Sequence, residues 1–425
     1  MPAVDDILAK LKEVPGLRNL TPVGSLRRFQ ETVGNIDLMG TADNAEDAIQ
    51  AFVSLPQVEE VLASGTTWAS VVVSDGFHVD LRIVDHDSFG STLQYFTGSK
   101  QHNIDLRERA RRQGLSLSEY GITSLANGEL EKFATEEAFY QRQGLQYIPQ
   151  EIREGQQEIE KAEQGDIPEL VELSDIKGEL HVHTNWSDGR NTIEEMALAA
   201  KARGYQYLGI ADHSSGTRIA HGQGLKQQML EIKQLNQKID GIHILSGVEA
   251  NVTLDGSLDV PDEMLAEVDF VIAGVHRRLD LPRKQMMKRV ITAMENPRVD
   301  ILAHPTSRRV LPVRQGIGSE PIESGPLDVD MEAVFQAAIR TNTVLEIDSM
   351  PSRLDLKDTY AYRARELGVK LIIDTDSHGT ENLRFINFGV EIARRAWCQA
   401  SDILNTRPLD KLMTLLKSSG QDNSE

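Results

Sequence analysis

The chain has 425 residues, 40% of them hydrophobic, and a formal net charge of −20 at pH 7. That length suits about three packed domains, and the acidic balance excludes capture of nucleic acid by overall charge, leaving that task to local basic patches. The single cysteine, Cys398, excludes an internal disulfide and a thiolate metal site and fits a reducing compartment. Met1–Asp6 has neither the basic nor the apolar stretch of a secretory leader, and no apolar run is long enough to span a bilayer. The expectation is a soluble cytoplasmic protein with no membrane partner.

Asp6 to Val14 reads as an amphipathic helix and Leu17 to Val23 as a strand. Gly24-Ser25-Leu26-Arg27-Arg28 follows. A Gly-Ser turn after a strand exposes backbone N–H groups and a hydroxyl, and the two arginines add charge suited to a triphosphate. Asp37 lies in a second strand. Val71–Val73 and Phe77–Val84 read as a hairpin turning at Asp75-Gly76. Asp80 alternates with apolar neighbours there, so it is expected to point towards Asp37.

Tyr95 to Asn103 leads into a helix, Ile104 to Gln113. Lys100, Arg107, Arg109, Arg111 and Arg112 stand against Asp105 and Glu108, a local +3 in an acidic chain. That is either a solvated helix face or a contact with a phosphate backbone. Gly114 to Ile122 reads as a small hairpin. Glu151 to Glu172, rich in Glu and Gln and broken by Gly155, Gly165 and Pro168, reads as a linker.

Beyond it, short apolar strands alternate with amphipathic helices. The strands are Glu179–His183, Tyr207–Asp212, Ile242–Glu249, Phe270–His276, Ile301–His304, Thr343–Ile347 and Leu371–Asp374. Between them fall helices such as Ile193–Arg203, Leu225–Ile239, Lys284–Met294, Met331–Arg340 and Thr359–Leu367. This β-α series implies a parallel sheet, most simply a closed barrel with its site at the C-terminal strand ends. Six of the chain's 11 histidines, His181, His183, His213, His276, His304 and His378, fall at those ends, with Asp188, Glu249 and Asp376. His181 and His183, two apart on a strand, share a face. Nine N/O donors exceed the needs of one ion, so several metals are expected. Imidazole and carboxylate without thiolate suit Mn²⁺, Fe²⁺ or Zn²⁺. Clustered ions polarise a phosphoryl group and make hydroxide near neutral pH, so phosphoester hydrolysis is the expected reaction.

Two family resemblances sharpen this reading. Gly24-Ser25-x-Arg27-Arg28, Glu31-Thr32-Val33-Gly34-x-Ile36-Asp37 and Val79-Asp80-Leu81-Arg82 resemble the palm of family X DNA polymerases, a nucleotidyltransferase fold. The resemblance implies triphosphate contacts from Gly24, Ser25 and Arg28, and Mg²⁺-binding carboxylates at positions 35, 37 and 80. It places Tyr95, Phe96 and Asn103 beside an incoming nucleotide, where the thumb opens. Position 35 is asparagine, and a neutral amide holds Mg²⁺ poorly. The palm is therefore expected to be a scaffold without polymerase activity. Leu17 already opens the first strand, so the family's upstream helical modules are expected to come from a partner protein.

His181-x-His183, Asp188, Asp212-His213, Glu249, His276, His304-Pro305 and Asp376-x-His378 resemble the PHP (polymerase and histidinol phosphatase) family. That family folds as a distorted (β/α)7 barrel around about three metals. Leu254–Asp259, Glu295–Thr306 and Arg353–Leu356 look like the PHP domain fused to bacterial and archaeal family X polymerases, similar to Mn²⁺-dependent 3′-5′ exonucleases. The expected layout is α/β and multidomain. A palm with a mixed sheet covers residues 1–90, a thumb 91–150, a linker 151–174, the PHP barrel 175–417 and a tail 418–425.

Asp212 is expected to orient ligands. Arg277 and Arg308 are expected to clamp phosphate, since basic clusters start just past His276 and His304. The family often has Glu-Ile-Asn-Ala where this chain has Glu346-Ile347-Asp348-Ser349, and Gln315–Asp328 reads as an inserted loop. The first reading is a Mn²⁺-dependent 3′-5′ exonuclease or phosphodiesterase working on DNA in repair, at 3′ ends that are gapped or single-stranded. Two alternatives stand beside it: a small-molecule phosphomonoesterase like histidinol phosphatase, and a non-catalytic binder of DNA ends.

Overall fold

The computed structural model describes residues 2–74, 76–214, 223–311, 322–324 and 326–416. The chain divides into two compact units, one ending at Pro168 and the other beginning at Glu169.

The first unit is built on a mixed sheet of β1 (Leu17–Pro22), β2 (Ile36–Ala42), β3 (Val58–Ser64), β4 (Trp68–Val73) and β5 (His78–Ile83). The strand order is β1-β2-β5-β4-β3, and only β2 and β5 run parallel. On β5, Val79, Leu81 and Ile83 are buried while Asp80 and Arg82 turn to the opposite face, the period-two pattern of a strand. The helix Ala45–Val53 buries Ala48, Ile49 and Phe52, and Asn44 caps its first turn through the N–H groups of Glu46 and Asp47. Neither this helix nor β3 was expected. β3 is an edge strand whose residues are mostly exposed, so it lacks the apolar alternation that marks a half-buried strand. Asp75 of the expected hairpin turn lies outside the described residues.

The helix Lys100–Arg112 is followed by an antiparallel sheet of β6 (Leu115–Ser118), β7 (Gly121–Ser124) and β8 (Leu130–Glu131). The stretch read as a linker carries regular structure over much of its length, a 3-10 turn Gln150–Ile152 and a helix Glu158–Gln164. Glu151, Arg153 and Glu158 turn inward, while Glu160, Glu163, Asp166, Glu169 and Glu172 are exposed. Arg153 is fully buried with Nη1 2.5 Å from Glu136 Oε1, and Glu158 Oε1 lies 2.8 Å from His102 Nδ1.

The second unit contains β9 (Gly178–Val182), β10 (Tyr207–Ile210), β11 (His243–Asn251), β12 (Phe270–Gly274), β13 (Ile301–Leu302), β14 (Arg309–Leu311), β15 (Ile322–Ser324), β16 (Val344–Asp348) and β17 (Leu371–Asp374). β14 and β15 form a separate hairpin, and the other seven make a parallel sheet in the order β17-β16-β13-β12-β11-β10-β9. The sheet nearly closes. Leu180 donates its N–H to Asp374 Oδ1 at 2.6 Å, and His183 donates to the Ser377 carbonyl at 2.8 Å. A carboxylate thus stands in one rung where a regular barrel would have backbone, which distorts the closure. Inside, Phe270 fills the barrel where Gly247 leaves room; a Cβ there would lie 2.2 Å from the Phe270 ring. Leu404, Leu412 and Leu416 join Tyr207 and Phe270 in this inner core. Helices Ile193–Ala202, Gln223–Lys238, Arg283–Glu295, Met331–Thr341, Asp358–Glu366 and Ile386–Arg395 belong to the same unit. This is the expected (β/α)7 barrel. Most of the expected 315–328 insertion, and the 418–425 tail, lie outside the described residues.

Candidate metal centre

β9 carries His181 and delivers His183 one step past its end, and both imidazoles are fully buried. β11 carries Glu249, also fully buried, and it is the hub of the rim. Its Oε2 lies 2.8 Å from His213 Nδ1, 3.5 Å from His181 Nε2 and 3.7 Å from His183 Nε2. Its Oε1 lies 2.9 Å from His276 Nε2 and 3.3 Å from His304 Nε2. Asp376 Oδ1 is 2.9 Å from His183 Nε2 and 3.6 Å from His181 Nε2. Asp188 Oδ2 lies 3.4 Å from His378 Nε2 and 3.8 Å from His213 Nε2. All nine side chains singled out in the sequence therefore meet at one place.

Their donor atoms fall into three overlapping groups that each fit an ion: His183, Asp188, His213 and His378; His181, His183 and Asp376; and His213, Glu249 and His276. Buried and without a hydrogen-bond partner are His181 Nε2, both nitrogens of His183, His276 Nε2, Glu249 Oε2 and Asp376 Oδ1. Buried polar atoms are rarely left unpaired, so these converging lone pairs fit divalent ions. His304 and Asp376 adopt φ angles of 29° and 48°, a region that ordinary side chains avoid, and such strain collects at functional sites.

The electrostatics agree. Burial pushes the Glu249 carboxyl up, but the imidazoles of His276 and His181 hold it well below the ordinary carboxylate range. Burial opposes charge on His378, yet Asp188 and Asp376 raise its pKa to about 9. The rim carboxylates thus favour positive charge among them.

Around this layer lie the groups that orient it. Glu346 Oε1 lies 2.6 Å from His181 Nδ1, Asn251 Oδ1 lies 2.7 Å from His276 Nδ1, and the Asp376 carbonyl lies 2.8 Å from His378 Nδ1. Fully buried Asp212 touches no metal-facing atom. It accepts from Thr184 N at 2.7 Å, Thr184 Oγ1 at 2.6 Å, Ser187 N at 3.2 Å and Gln228 Nε2 at 2.6 Å, and also from the Ser187 hydroxyl. It thereby shapes the turn that presents Asp188. Arg277 is exposed beside His276. Arg308 is not at the surface; it is 1% exposed and donates Nε to the Leu354 carbonyl at 2.9 Å. Arg353, which no spacing in the sequence marks, lies against the site instead. Burial disfavours its charge, but Asp376, Asp348 and Glu249 restore it.

In the first unit, Asp37 and Asp80 are register partners on β2 and β5. With Trp68, Arg82 and Phe96 they line a cavity of about 150 Å³. Burial and the Asp80 charge raise the Asp37 pKa. Gly24, at φ 64°, approaches so closely that a Cβ would meet Asp37 Oδ2 at 3.2 Å. Ser25 lies in the short helix Gly24–Arg27, and Asn35 is exposed just before β2. Arg28 pairs through Nε with Glu154 at 3.0 Å and donates to the Thr97 carbonyl at 2.5 Å. Asn103 spends its amide on Gln94 and the Tyr95 carbonyl. Tyr95 and Phe96 pack edge to face at 5.2 Å.

Comparison with known proteins accounts for both units. Residues 92–154 match the DNA polymerase beta thumb and residues 179–308 match the PHP domain. A relative in Bacillus subtilis, the DNA polymerase/3′-5′ exonuclease PolX, is 40% identical over 97% of this chain and 71% of its own length. The chain belongs to the PolX family. Other relatives align with about half of this chain. A protein named probable phosphatase in Thermoanaerobacter sp. is 30% identical over 53% of this chain and 89% of its own length. Another in Shewanella sediminis is 28% identical over 56% and 93%. Among the described residues, no helix is long and apolar enough to cross a membrane.

Proposed function

We propose that this PolX chain is a Mn²⁺-dependent 3′-5′ exonuclease or phosphodiesterase that degrades DNA from 3′ ends in repair. Its ligands are His181, His183, Asp188, His213, Glu249, His276, His304, Asp376 and His378, which hold about three ions. The observation that carries this reading is the convergence of buried, unpartnered imidazole and carboxylate atoms on Glu249. When bound, such ions supply Lewis acidity and a nucleophile at neutral pH. The chain's own part is to hold them in a shaped, largely buried rim and to position the substrate. Glu346, Asn251 and Asp212 orient the ligands. Arg277, exposed at the rim, takes a phosphate of the DNA backbone. In the palm, Asn35 replaces a carboxylate and Arg28 is paired with Glu154, so the polymerase half serves as a scaffold. A DNA enzyme with one buried cysteine suits the cytoplasm.

The phosphatase-named relatives favour a second reading, a small-molecule phosphomonoesterase. Incubating the pure protein with Mn²⁺ and 5′-labelled single-stranded DNA separates the readings. A ladder of shortened products is expected. Release of phosphate from small monoesters alone favours the second reading, and binding without turnover favours a DNA-end binder. His181→Ala is expected to abolish the ladder; cleavage at full rate in that variant sinks the site assignment.

A further inference from the structure

Arg353 is the residue of the site that composition and spacing least suggested. It lies between Asp348 of β16 and the Asp376 carboxylate, with its side chain 16% exposed. Its Nε is 3.4 Å from Asp348 Oδ2 and 3.5 Å from Asp376 Oδ2, so it leans on both acids without closing a bidentate pair with either. Its terminal amino groups donate to no group among the described residues. A guanidinium has five N–H donors in a fixed fork, and one this enclosed ordinarily spends them on the protein.

The backbone around it is firmly held. Arg353 and Leu354 donate their N–H groups to the Met350 carbonyl at 2.8 and 3.0 Å. Leu354 adopts a φ of 48°. Its carbonyl accepts the buried Arg308 guanidinium. Asp355, fully buried, takes Thr306 N at 3.0 Å and Thr306 Oγ1 at 2.8 Å, and it exchanges backbone hydrogen bonds with Asp348. Arg308 and Thr306, both just past His304, therefore fix the turn that aims Arg353 at the metal-facing acids. Asp348 adds a negative neighbour on β16.

We propose that Arg353 is a catalytic residue: its free terminal N–H groups bind a non-bridging oxygen of the phosphate being cleaved and stabilise the charge that develops there. This deepens the phosphoesterase reading and rests on it. Arg277, exposed on the outer rim, remains a separate contact for a neighbouring phosphate. An arginine whose only task was to neutralise Asp376 would present its fork to that carboxylate; here the fork is left for a ligand.

The test uses the full chain with Arg353→Gln and Arg353→Lys. Manganese bound per chain is measured by elemental mass spectrometry, and kcat and KM are measured on single-stranded DNA and on p-nitrophenyl phosphate. Arg353→Gln is expected to keep its manganese and lose about 10²- to 10³-fold in kcat on whichever substrate the native protein turns over. Arg353→Lys should recover only a small part, because a point charge does not reproduce the fork. Unchanged kcat, or loss of activity in step with loss of manganese, overturns the proposal, the latter by making Arg353 a prop for Asp376. If the native protein leaves DNA intact but cleaves the monoester, the DNA reading fails while Arg353 is still judged on kcat.

Discussion

Glu346 holds His181: its Oε1 lies 2.6 Å from Nδ1, while its Oε2 accepts the backbone N–H of His304 at 2.6 Å. One buried carboxylate on β16 thus aligns two neighbouring rim residues. By accepting a hydrogen bond from Nδ1–H it keeps the proton on Nδ1 and leaves His181 Nε2 as a lone pair facing the cluster. In Glu346→Gln the amide has one acceptor for two donors, so one of the two contacts is lost. Manganese affinity is expected to fall about 10- to 100-fold, the usual cost of losing a group that orients a ligand. Calorimetric titration of the metal-free protein reads this directly, and an unchanged isotherm argues against the assigned role of Glu346.

His183 belongs to two of the three donor groups, whereas His276 belongs to one. His183→Ala should therefore cost two ions and His276→Ala one. Elemental analysis of the purified variants gives the stoichiometry. Equal losses in both would show that the ions do not follow these groupings.

The barrel and its rim were legible because buried parallel strands read as continuous apolar runs. Tyr207-Leu208-Gly209-Ile210-Ala211 is one such run, and its polar continuation Asp212-His213 stands out. Arg353 was not legible in this way. Its orientation depends on Arg308, 46 residues from Leu354, and on Thr306, 49 residues from Asp355. Arg308 itself was read as a phosphate clamp from its nearness to His304; only the folded chain shows that it is buried. The stretch from Glu151 was legible in part: the division between the units falls within it, at Pro168, but its inward-facing charges were not. Acidic composition suggests solvent, but Arg153 and Glu158 are consumed by Glu136 and His102, partners that lie far away in sequence.

Glu136 offers a pH test in the first unit. Burial pushes its carboxyl up, but Arg153 and Arg27 bring it down to about 2. A folded pKa depressed below the unfolded value gives stability that is present above about pH 4.5 and is lost as the pH falls towards 2. The thumb segment should open first on acidification, read as loss of amide-exchange protection over residues 89–164. Glu136→Gln should remove that acid dependence and leave Arg153 buried and unpaired, a defect worth about 3–5 kcal/mol. A native-like acid profile in the variant would show that the triad does not govern the segment.

The palm yields the last prediction. Asp37 and Asp80 stand side by side on β2 and β5, but the third position is Asn35. Two-metal phosphoryl transfer needs enough negative charge to hold both ions. The native chain is therefore expected to leave a gapped primer unextended in Mg²⁺. Asn35→Asp supplies the missing charge but leaves Arg28 committed to Glu154 and the Thr97 carbonyl. A triphosphate would have to displace that half-buried pair, so the variant is also expected to extend poorly. Primer extension on gapped DNA, with both proteins carrying His181→Ala to suppress degradation, measures this. Efficient extension by Asn35→Asp would make the missing carboxylate the whole defect and the Arg28–Glu154 pair no obstacle. Extension by the Asn35 chain would overturn the scaffold reading of the palm.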